Sequence, residues 1–340
     1  MSAPLPPAAK PTTPWYVGAM LGVSGWIAAI CLLGFFAFIF QGRMFDNRTA
    51  ALSMGAVLIG AALVLFRYAG RITFASQFGL ALSLAGQMLL GIGIYELQRQ
   101  DVGAFWFTMA AFEGALAIAL PNSVHRAWSA YASATALAIA MARLHAGFVT
   151  TGMLAAGVAA LWLKELEWAR FGSVLRPIGY GLALALLQVA ATSAFVAPWI
   201  LGWHSEARGH FLAPWMGELT AAAVLIVVVW KLIEREGIRL PQRAAVAGIA
   251  VAALVGAVSC KAPGIAAALT IVLLGYAGGN RVLCGLGFAA LAGYLFAYYY
   301  NLNATLLVKS GLLAATGCVL LAARALLRHS WRPEAGIENA

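Results

Sequence analysis

Long apolar runs, separated by short polar loops, occupy almost the whole chain. A helix needs about 20 consecutive apolar residues to cross the hydrocarbon core of a bilayer. The runs predict about twelve such helices, with ten to twelve as the range because the fifth, sixth and tenth are short. The predicted spans are 15–41, 50–66, 74–95, 102–120, 127–142, 147–163, 178–201, 211–232, 243–260, 262–279, 282–300 and 304–325. The expected fold class is an all-α integral membrane protein, a polytopic bundle of transmembrane helices.

The composition favours a membrane over water as the surrounding solvent. Hydrophobic residues make up 63% of the 340 and charged residues only 10%, whereas an ordinary soluble domain is about half apolar and a quarter charged. The net charge of +10 comes from 22 Lys and Arg against only 12 Asp and Glu. Because these basic residues are scattered through short loops, we expect membrane lipids as partners and no binding of nucleic acid.

The distribution of basic residues also predicts an orientation. With the N-terminus in the cytoplasm, the inner segments carry 15 of the 22 Lys and Arg and the outer segments carry seven. This bias follows the positive-inside rule and places both termini in the cytoplasm. The domain organisation predicted is a disordered cytoplasmic tail at 1–14, a transmembrane helical domain at 15–325 and a cytoplasmic tail at 326–340.

A weak internal similarity suggests three repeats of four helices. The letters GLAL occur at 79–82 and 181–184, and GL at 285–286, so the intervals are 102 and 104 residues. The predicted helix after each of these carries one ionisable residue, namely Glu113, Glu218 and Lys309. Gly, Ala and Leu are so common in this chain that short matches also arise by chance, and both explanations stay open.

These three ionisable residues are the candidate functional site. A charge at the centre of a membrane helix costs about 2.5–3.5 kcal/mol, so such residues usually face a partner or a water-filled cavity. Glu113 lies near the middle of the fourth span, while Glu218 and Lys309 have opposite sign and similar predicted depth. They predict either a buried polar site for transport or an ion pair that fixes helix packing. Alternatively, Lys309 extends outward to the membrane surface.

A second candidate is a cluster of polar and aromatic residues at the predicted outer boundary. It consists of Tyr298, Tyr299, Tyr300, Asn301 and Asn303. Consecutive tyrosines point around a helix in three directions, which is typical of an interfacial anchor. The sharper alternative is a platform for a saccharide or a lipid headgroup.

The remaining sequence contains no catalytic or metal-binding signature. No phosphate-binding loop, nucleophile elbow or dinucleotide-binding glycine set is present. Cys31, Cys260, Cys284 and Cys318 fall in apolar segments without CxxC or Cys/His spacing, so no metal and no cofactor is predicted. His125 and His145 stand singly at helix edges and indicate no site.

Two stretches of the chain resemble a known family. The first is TPWYV at 13–17 with GW at 25–26 and LGFF at 33–36, and the second is YYYNLNATLL at 298–307 followed by KSGLL at 309–313. They are similar to a bacterial multi-pass membrane family catalogued as domain of unknown function 4401, over roughly residues 12 to 328. The resemblance implies a bacterial inner-membrane protein. It also implies two partners, a second multi-pass protein of unknown function and a small protein named for a GDYxxLxY motif that this chain lacks.

Three classes of function remain compatible with the sequence. The absence of a soluble domain and the implied partners favour a non-enzymatic subunit of an envelope membrane complex. Twelve spans and buried ionisable residues suit the alternative, a transporter or flippase for a small or lipid-linked substrate that uses Glu218, Lys309 and Glu113. A membrane-embedded enzyme is least compatible, since no constellation of acids or histidines is found.

Overall fold

The computed structural model describes residues 15–39, 47–68, 73–192, 214–237, 243–260 and 262–301, together with five single positions between 307 and 321. Within these residues the chain forms eleven α-helices and one 3-10 turn, without a strand. The helices are α1 (Trp15–Ile39), α2 (Arg48–Tyr68), α3 (Thr73–Leu97), α4 (Val102–Ala119), α5 (Ser123–Arg143), α6 (Gly147–Leu163), α7 (Gly172–Ala191), α8 (Pro214–Arg235), α9 (Arg243–Ser259), α10 (Ile265–Ala277) and α11 (Arg281–Asn301).

These helices correspond one to one to the first eleven predicted spans, which confirms the all-helical class. Six of them are long and apolar enough to cross a membrane by length and composition. They are α2, α4, segments of α3, α8 and α11, and the run Ala169–Ala191 that contains α7. The predicted twelfth span at 304–325 and both predicted tails lie almost entirely outside the described residues. A count of twelve spans therefore stays a prediction.

The helix α5 corrects one boundary of the sequence prediction. It begins at Ser123, four residues before the expected span, and is 21 residues long. The Asn122 side chain accepts a hydrogen bond from the backbone N–H of His125 at 3.0 Å, which satisfies one of the free donors at this helix start. The apolar pattern missed this first turn because His125 and Arg126 interrupt it.

Close helix packing relies on glycine at the points where backbones meet. Gly55 of α2 and Gly86 of α3 face each other, and a Cβ atom on either would lie 2.9 Å from the carbonyl oxygen of the other. Gly181 of α7 lies still more tightly against the backbone carbonyl of Ala127 in α5. Small residues at such contacts let membrane helices approach closely, because lipid supplies no hydrophobic driving force between them.

The described residues form three apolar cores, of which a small one joins α8, α9 and α10 and the two larger ones meet at α5. One core joins α2 and α3 with parts of α4 and α5, and the other joins α6, α7, α8, α10 and α11 with part of α5. The predicted threefold repeat is not confirmed by this packing, because α6 packs against α8 while the corresponding pair α2 and α4 makes no comparable contact in the described chain.

Basic side chains gather at one end of the bundle. Arg126 at the start of α5 donates to the carbonyl of Ser173 in α7 at 3.1 Å. That carbonyl is free because Pro177, four residues later, has no N–H to donate to it. At the same end, the Arg176 guanidinium contacts Glu165 at 2.7 Å. These helix ends, which the positive-inside rule places on one side of the membrane, therefore lie together in the structure.

Candidate functional site

A line of polar side chains runs along one face of α5. Asn122, His125, Ser129 and Ser133 are spaced three, four and four residues apart, so they share one side of the helix. We call this set the α5 seam. It extends for roughly 16 Å along the helix axis, starting from the basic end, which is about half of the hydrocarbon thickness of a bilayer. A continuous polar stripe of this length is unusual in a helix surrounded by apolar neighbours.

The centre of the seam is a buried hydrogen-bond network among three helices. Gln87 of α3 donates through Nε2 to Nε2 of His125 at 2.8 Å and to Oγ of Ser129 at 3.0 Å. The same Ser129 Oγ lies 3.4 Å from Nδ1 of His125 and within hydrogen-bonding reach of the Glu113 carboxyl of α4. The exposed fraction is 5% for Gln87, 4% for Glu113 and 0% for both His125 and Ser129.

The two ends of the seam are also satisfied by neighbouring helices. Asn122 donates to the hydroxyl of Ser76 in α3 at 3.3 Å. Ser133 donates to the carbonyl of Ala110 in α4 at 2.7 Å, one turn before Glu113. The seam thus ties α3 and α4 to α5 through polar contacts along its whole length.

The Glu113 carboxyl is incompletely bonded. Its Oε2 atom is buried and has no hydrogen-bond partner in the described part of the chain. A carboxylate oxygen buried without a donor or a cation is strongly disfavoured in apolar surroundings. The side chain that hydrogen-bonds to Glu113 in the described chain is the Ser129 hydroxyl, which contacts the other carboxyl oxygen. The arrangement therefore suits a protonated carboxyl, or a small cation at Oε2.

Glu218 has a different environment, near the start of α8 and away from the basic end of the bundle. It lies one turn after the start of α8 and is 2% exposed. Its carboxyl is within hydrogen-bonding reach of the backbone N–H of Gly264, the residue before the first turn of α10. Gly264 has a φ of +92° and no side chain that could cap the helix. Glu218 therefore supplies the missing cap from another helix, where the helix dipole favours a negative charge.

Tyr294 of α11 completes the surroundings of Glu218. It packs its ring against Gly264, and its hydroxyl donates to the carbonyl of Leu187 in α7 at 2.6 Å. The site is built mainly from backbone groups, one aromatic ring and the carboxyl itself. Glu113 and Glu218 are thus held at separate helix junctions, and the structure does not bring them together.

The predicted partner of Glu218, Lys309, lies outside the described residues, so the proposed ion pair is untested. In the tyrosine cluster, Tyr298 and Tyr300 are exposed and Tyr299 is half-buried in the last turn of α11. Asn301 ends this helix, and Asn303 lies outside the described chain. The interfacial anchor and the headgroup platform both stay predictions.

An apolar groove of about 690 Å³ runs between α5, α7 and α11. Its polar groups are few: Gln188 accepts from the Thr135 hydroxyl at 2.9 Å, and the Tyr294 hydroxyl is directed at Leu187. The groove therefore presents mostly hydrocarbon to whatever occupies it. Its lining includes Trp128, Tyr131, Leu184, Gln188, Gly293 and Tyr294.

The sequence prediction found Glu113 but missed its partners. His125 was interpreted as a single residue at a helix edge, and the structure corrects this by placing it fully buried inside the network. The signal was present as the i, i+4 spacing of His125, Ser129 and Ser133 within an alanine-rich run. Gln87 carried no such signal, because its role depends on which helix packs against α3.

Metal-binding groups do not gather anywhere in the described part of the chain, where no three His, Cys, Asp or Glu side chains come together. Cys31, Cys260 and Cys284 are free thiols.

Comparison with known proteins identifies the family without adding a function. No curated protein and no solved structure shows significant similarity to this chain. A family model described as Domain of unknown function (DUF4401) matches residues 14–330, nearly the whole sequence. The chain belongs to the DUF4401 family.

Proposed function

We propose that this protein is a non-enzymatic transporter of a bacterial inner membrane that moves a small polar or lipid-linked substrate. The α5 seam carries the proposal, since it holds an incompletely bonded carboxyl among polar side chains inside an apolar helical bundle. Intramembrane ionisable residues usually mark substrate or ion pathways. The sequence favoured a complex subunit over a transporter, and the seam reverses that order.

A purely structural role explains the seam less well. A network retained only for packing would have every polar atom satisfied, because a half-satisfied network is less favourable than an apolar core. Here the Oε2 atom of Glu113 has no partner among the described residues. The same is true of Oε2 of Glu218, so the two acids differ in the side-chain network that lies beside Glu113.

The proposed orientation puts the basic end and both termini in the cytoplasm. A cysteine introduced at the open Gly279 turn should then react with an impermeant reagent in inverted vesicles and be protected in intact cells.

The test is reconstitution of the purified chain into liposomes, followed by assays of proton flux, ion flux and lipid movement. We expect activity in at least one assay and its loss in Glu113→Gln, which keeps the size of the side chain. Glu96→Gln is the control, because Glu96 pairs with exposed Arg99 at a helix end. Absence of activity in every assay, with the protein folded and oriented, would contradict the proposal.

A second candidate function is a non-enzymatic subunit of an envelope membrane complex, and the groove between α5, α7 and α11 favours it. An apolar groove on a helical bundle accepts a transmembrane helix of another protein. Candidates are the multi-pass protein and the small GDYxxLxY protein that the family resemblance implies. Under this proposal, the groove is filled in the assembled complex.

Affinity purification from native membranes in mild detergent tests the second candidate. A stoichiometric multi-pass or GDYxxLxY partner is expected, and Gly293→Leu should release it by filling the groove. Gly293 suits this substitution because a Cβ atom there meets nothing within 4 Å. Gly60→Leu on α2 is the matched control, as Gly60 has equally open surroundings away from the groove. A monodisperse protein without partners would argue against this function.

A further inference from the structure

We propose that Glu113 is a proton-binding site in the middle of the bundle, and that His125 and Ser129 deliver the proton to it from the basic end. This inference deepens the proposed transport function by naming the proton as the transported or coupling species. It rests on an independent observation as well, the buried and unpartnered Oε2 atom of Glu113.

One assignment of donors and acceptors satisfies the whole network, and the proposal adopts it. In this assignment Gln87 donates both amide protons, one to Nε2 of His125 and one to Oγ of Ser129. With Nε2 as the acceptor, the neutral imidazole carries its proton on Nδ1, which lies 3.4 Å from Ser129 Oγ. Ser129 then accepts twice and has its own hydroxyl proton left to donate to Glu113. Every donor in this series of hydrogen bonds has an acceptor, and the series ends at the Glu113 carboxyl.

This order permits proton transfer from His125 to an ionised Glu113. A proton arriving at Nε2 displaces the hydrogen bond from Gln87, and the imidazolium passes its Nδ1 proton to Ser129 Oγ. Ser129 releases its own hydroxyl proton to Oε1 of Glu113, the carboxylate oxygen that it contacts, and Oε2 becomes the carbonyl oxygen of the neutral acid. One N–H and one O–H bond break at Nδ1 and Oγ, while an N–H bond at Nε2 and O–H bonds at Oγ and Glu113 form. The net result is one proton moved from the basic end to Glu113.

Few charged groups surround this route. On α5 the neighbouring cation is Arg126, whose guanidinium is directed at the Ser173 carbonyl of α7. The contacts from α2 and α3 are uncharged, namely the ring of Phe66 at 6.4 Å from the His125 ring and the amide of Gln87. No carboxylate other than Glu113 contacts the network among the described residues. Glu113 is therefore the acceptor to which a proton on His125 is drawn.

Position along the bundle supports a one-sided entry. His125 lies in the first turn of α5, beside Arg126 and the basic end. Ser129 follows one turn deeper, and Glu113 accepts at that level. The seam continues for one more turn to Ser133, which donates to a backbone carbonyl and so offers no titratable group. A proton entering from the basic end is accordingly held at Glu113.

Infrared difference spectroscopy on the protein in lipid nanodiscs tests the site without requiring transport. A change of pH should produce a protonated-carboxyl band that shifts in heavy water. Glu113→Gln should remove this band, and the matched variant Glu218→Gln should retain it. Persistence of the full band in Glu113→Gln would overturn the assignment of the site.

The kinetics after a pH jump test the route. Ser129→Ala should slow the appearance of the carboxyl band by about 100-fold, the scale of a lost proton-transfer group. Ser83→Ala is the control, because Ser83 is equally buried but bonds only to the carbonyl of Leu80 in its own helix. Ser129→Cys, which keeps the shape and a weak donor, serves where Ser129→Ala does not fold. Parental kinetics in the folded Ser129 variants would overturn the route.

Liposome flux separates this inference from the transport proposal. A titrating Glu113 with rapid delivery, but no proton or solute flux, would leave the proton site established and the transport function refuted. Flux that depends on Glu113 but not on Ser129 would retain the transport function and overturn the delivery route. The two proposals therefore fail in different experiments.

Discussion

The two buried glutamates of this protein have the same side chain and nearly the same exposure, 4% for Glu113 and 2% for Glu218, yet different surroundings. Glu113 lies beside a network in which side chains of α3 and α5 hydrogen-bond to one another. Glu218 lies against the backbone at the start of α10, where the helix dipole is positive. Burial alone therefore does not define what an intramembrane acid does.

The difference separates a site that can exchange a proton from a site that holds a charge. Near Glu113, the proton has a chain of donors and acceptors along which to move. Near Glu218, the backbone N–H of Gly264 cannot pass a proton on, although the Oε2 atom of Glu218 is as unpartnered among the described residues as that of Glu113. We infer that Glu218 fixes the start of α10 and that Glu113 carries the chemistry. The experiments below test this division, from the largest expected effect to the smallest.

A single methyl group should disrupt the Glu218 site and leave the Glu113 site almost unchanged. At Gly264, a Cβ atom would lie 2.8 Å from the Tyr294 ring at a φ of +92°. Left-handed strain and overpacking together should lower the free energy of unfolding by about 3 kcal/mol in Gly264→Ala. Thermal unfolding in mild detergent measures the change.

The matched variant is Gly114→Ala, next to Glu113. Its Cβ atom would lie 3.3 Å from the Ser133 hydroxyl, so the hydroxyl needs to shift by only a few tenths of an ångström while it keeps its bond to the Ala110 carbonyl. Replacing a glycine within a helix gains about 1 kcal/mol, which offsets that contact. Equal destabilisation by the two substitutions would show that the Glu218 site does not depend on the Gly264 backbone.

Removal of the Ser129 hydroxyl should destabilise the Glu113 site and leave the Glu218 site unchanged. Ser129→Ala deprives Gln87 of an acceptor and Glu113 of a donor, and leaving such buried groups unsatisfied costs about 2 kcal/mol. Ser83→Ala should cost less than about 1 kcal/mol, because it removes a bond within one helix. The comparison is made by thermal unfolding of both variants. Similar losses would mean that the network contributes nothing beyond ordinary serine packing.

The sequence predicted the helices well because the membrane imposes a simple rule on them. Each apolar run needs to satisfy its own backbone, so length and hydropathy indicate eleven helices that the structure contains. The starts of α5 and α7 differ most from the prediction, by four and six residues, because polar and basic residues in their first turns interrupt the apolar run.

The candidate sites were predictable only in part. Glu113 and Glu218 are visible in the sequence because a charge in an apolar run stands out. Their partners are not, since Gln87 and Gly264 are ordinary residues that acquire a role from helices far along the chain. Opposite charge suggests Lys309 as the partner of Glu218, and this pairing stays a prediction because Lys309 lies outside the described residues.

Replacement of each glutamate by glutamine should have the smallest effect on stability, and it compares the two acids most directly. Glu218→Gln keeps the shape of the side chain but removes the charge from the helix start, which should cost about 1 kcal/mol. Glu113→Gln replaces a carboxyl that suits the neutral form with a neutral amide, so it should cost less than about 0.5 kcal/mol. Thermal unfolding of the two variants in the same detergent gives the comparison. A larger loss at Glu113 would mean that this carboxyl is ionised and stabilised by a cation, which would replace the proton as its ligand.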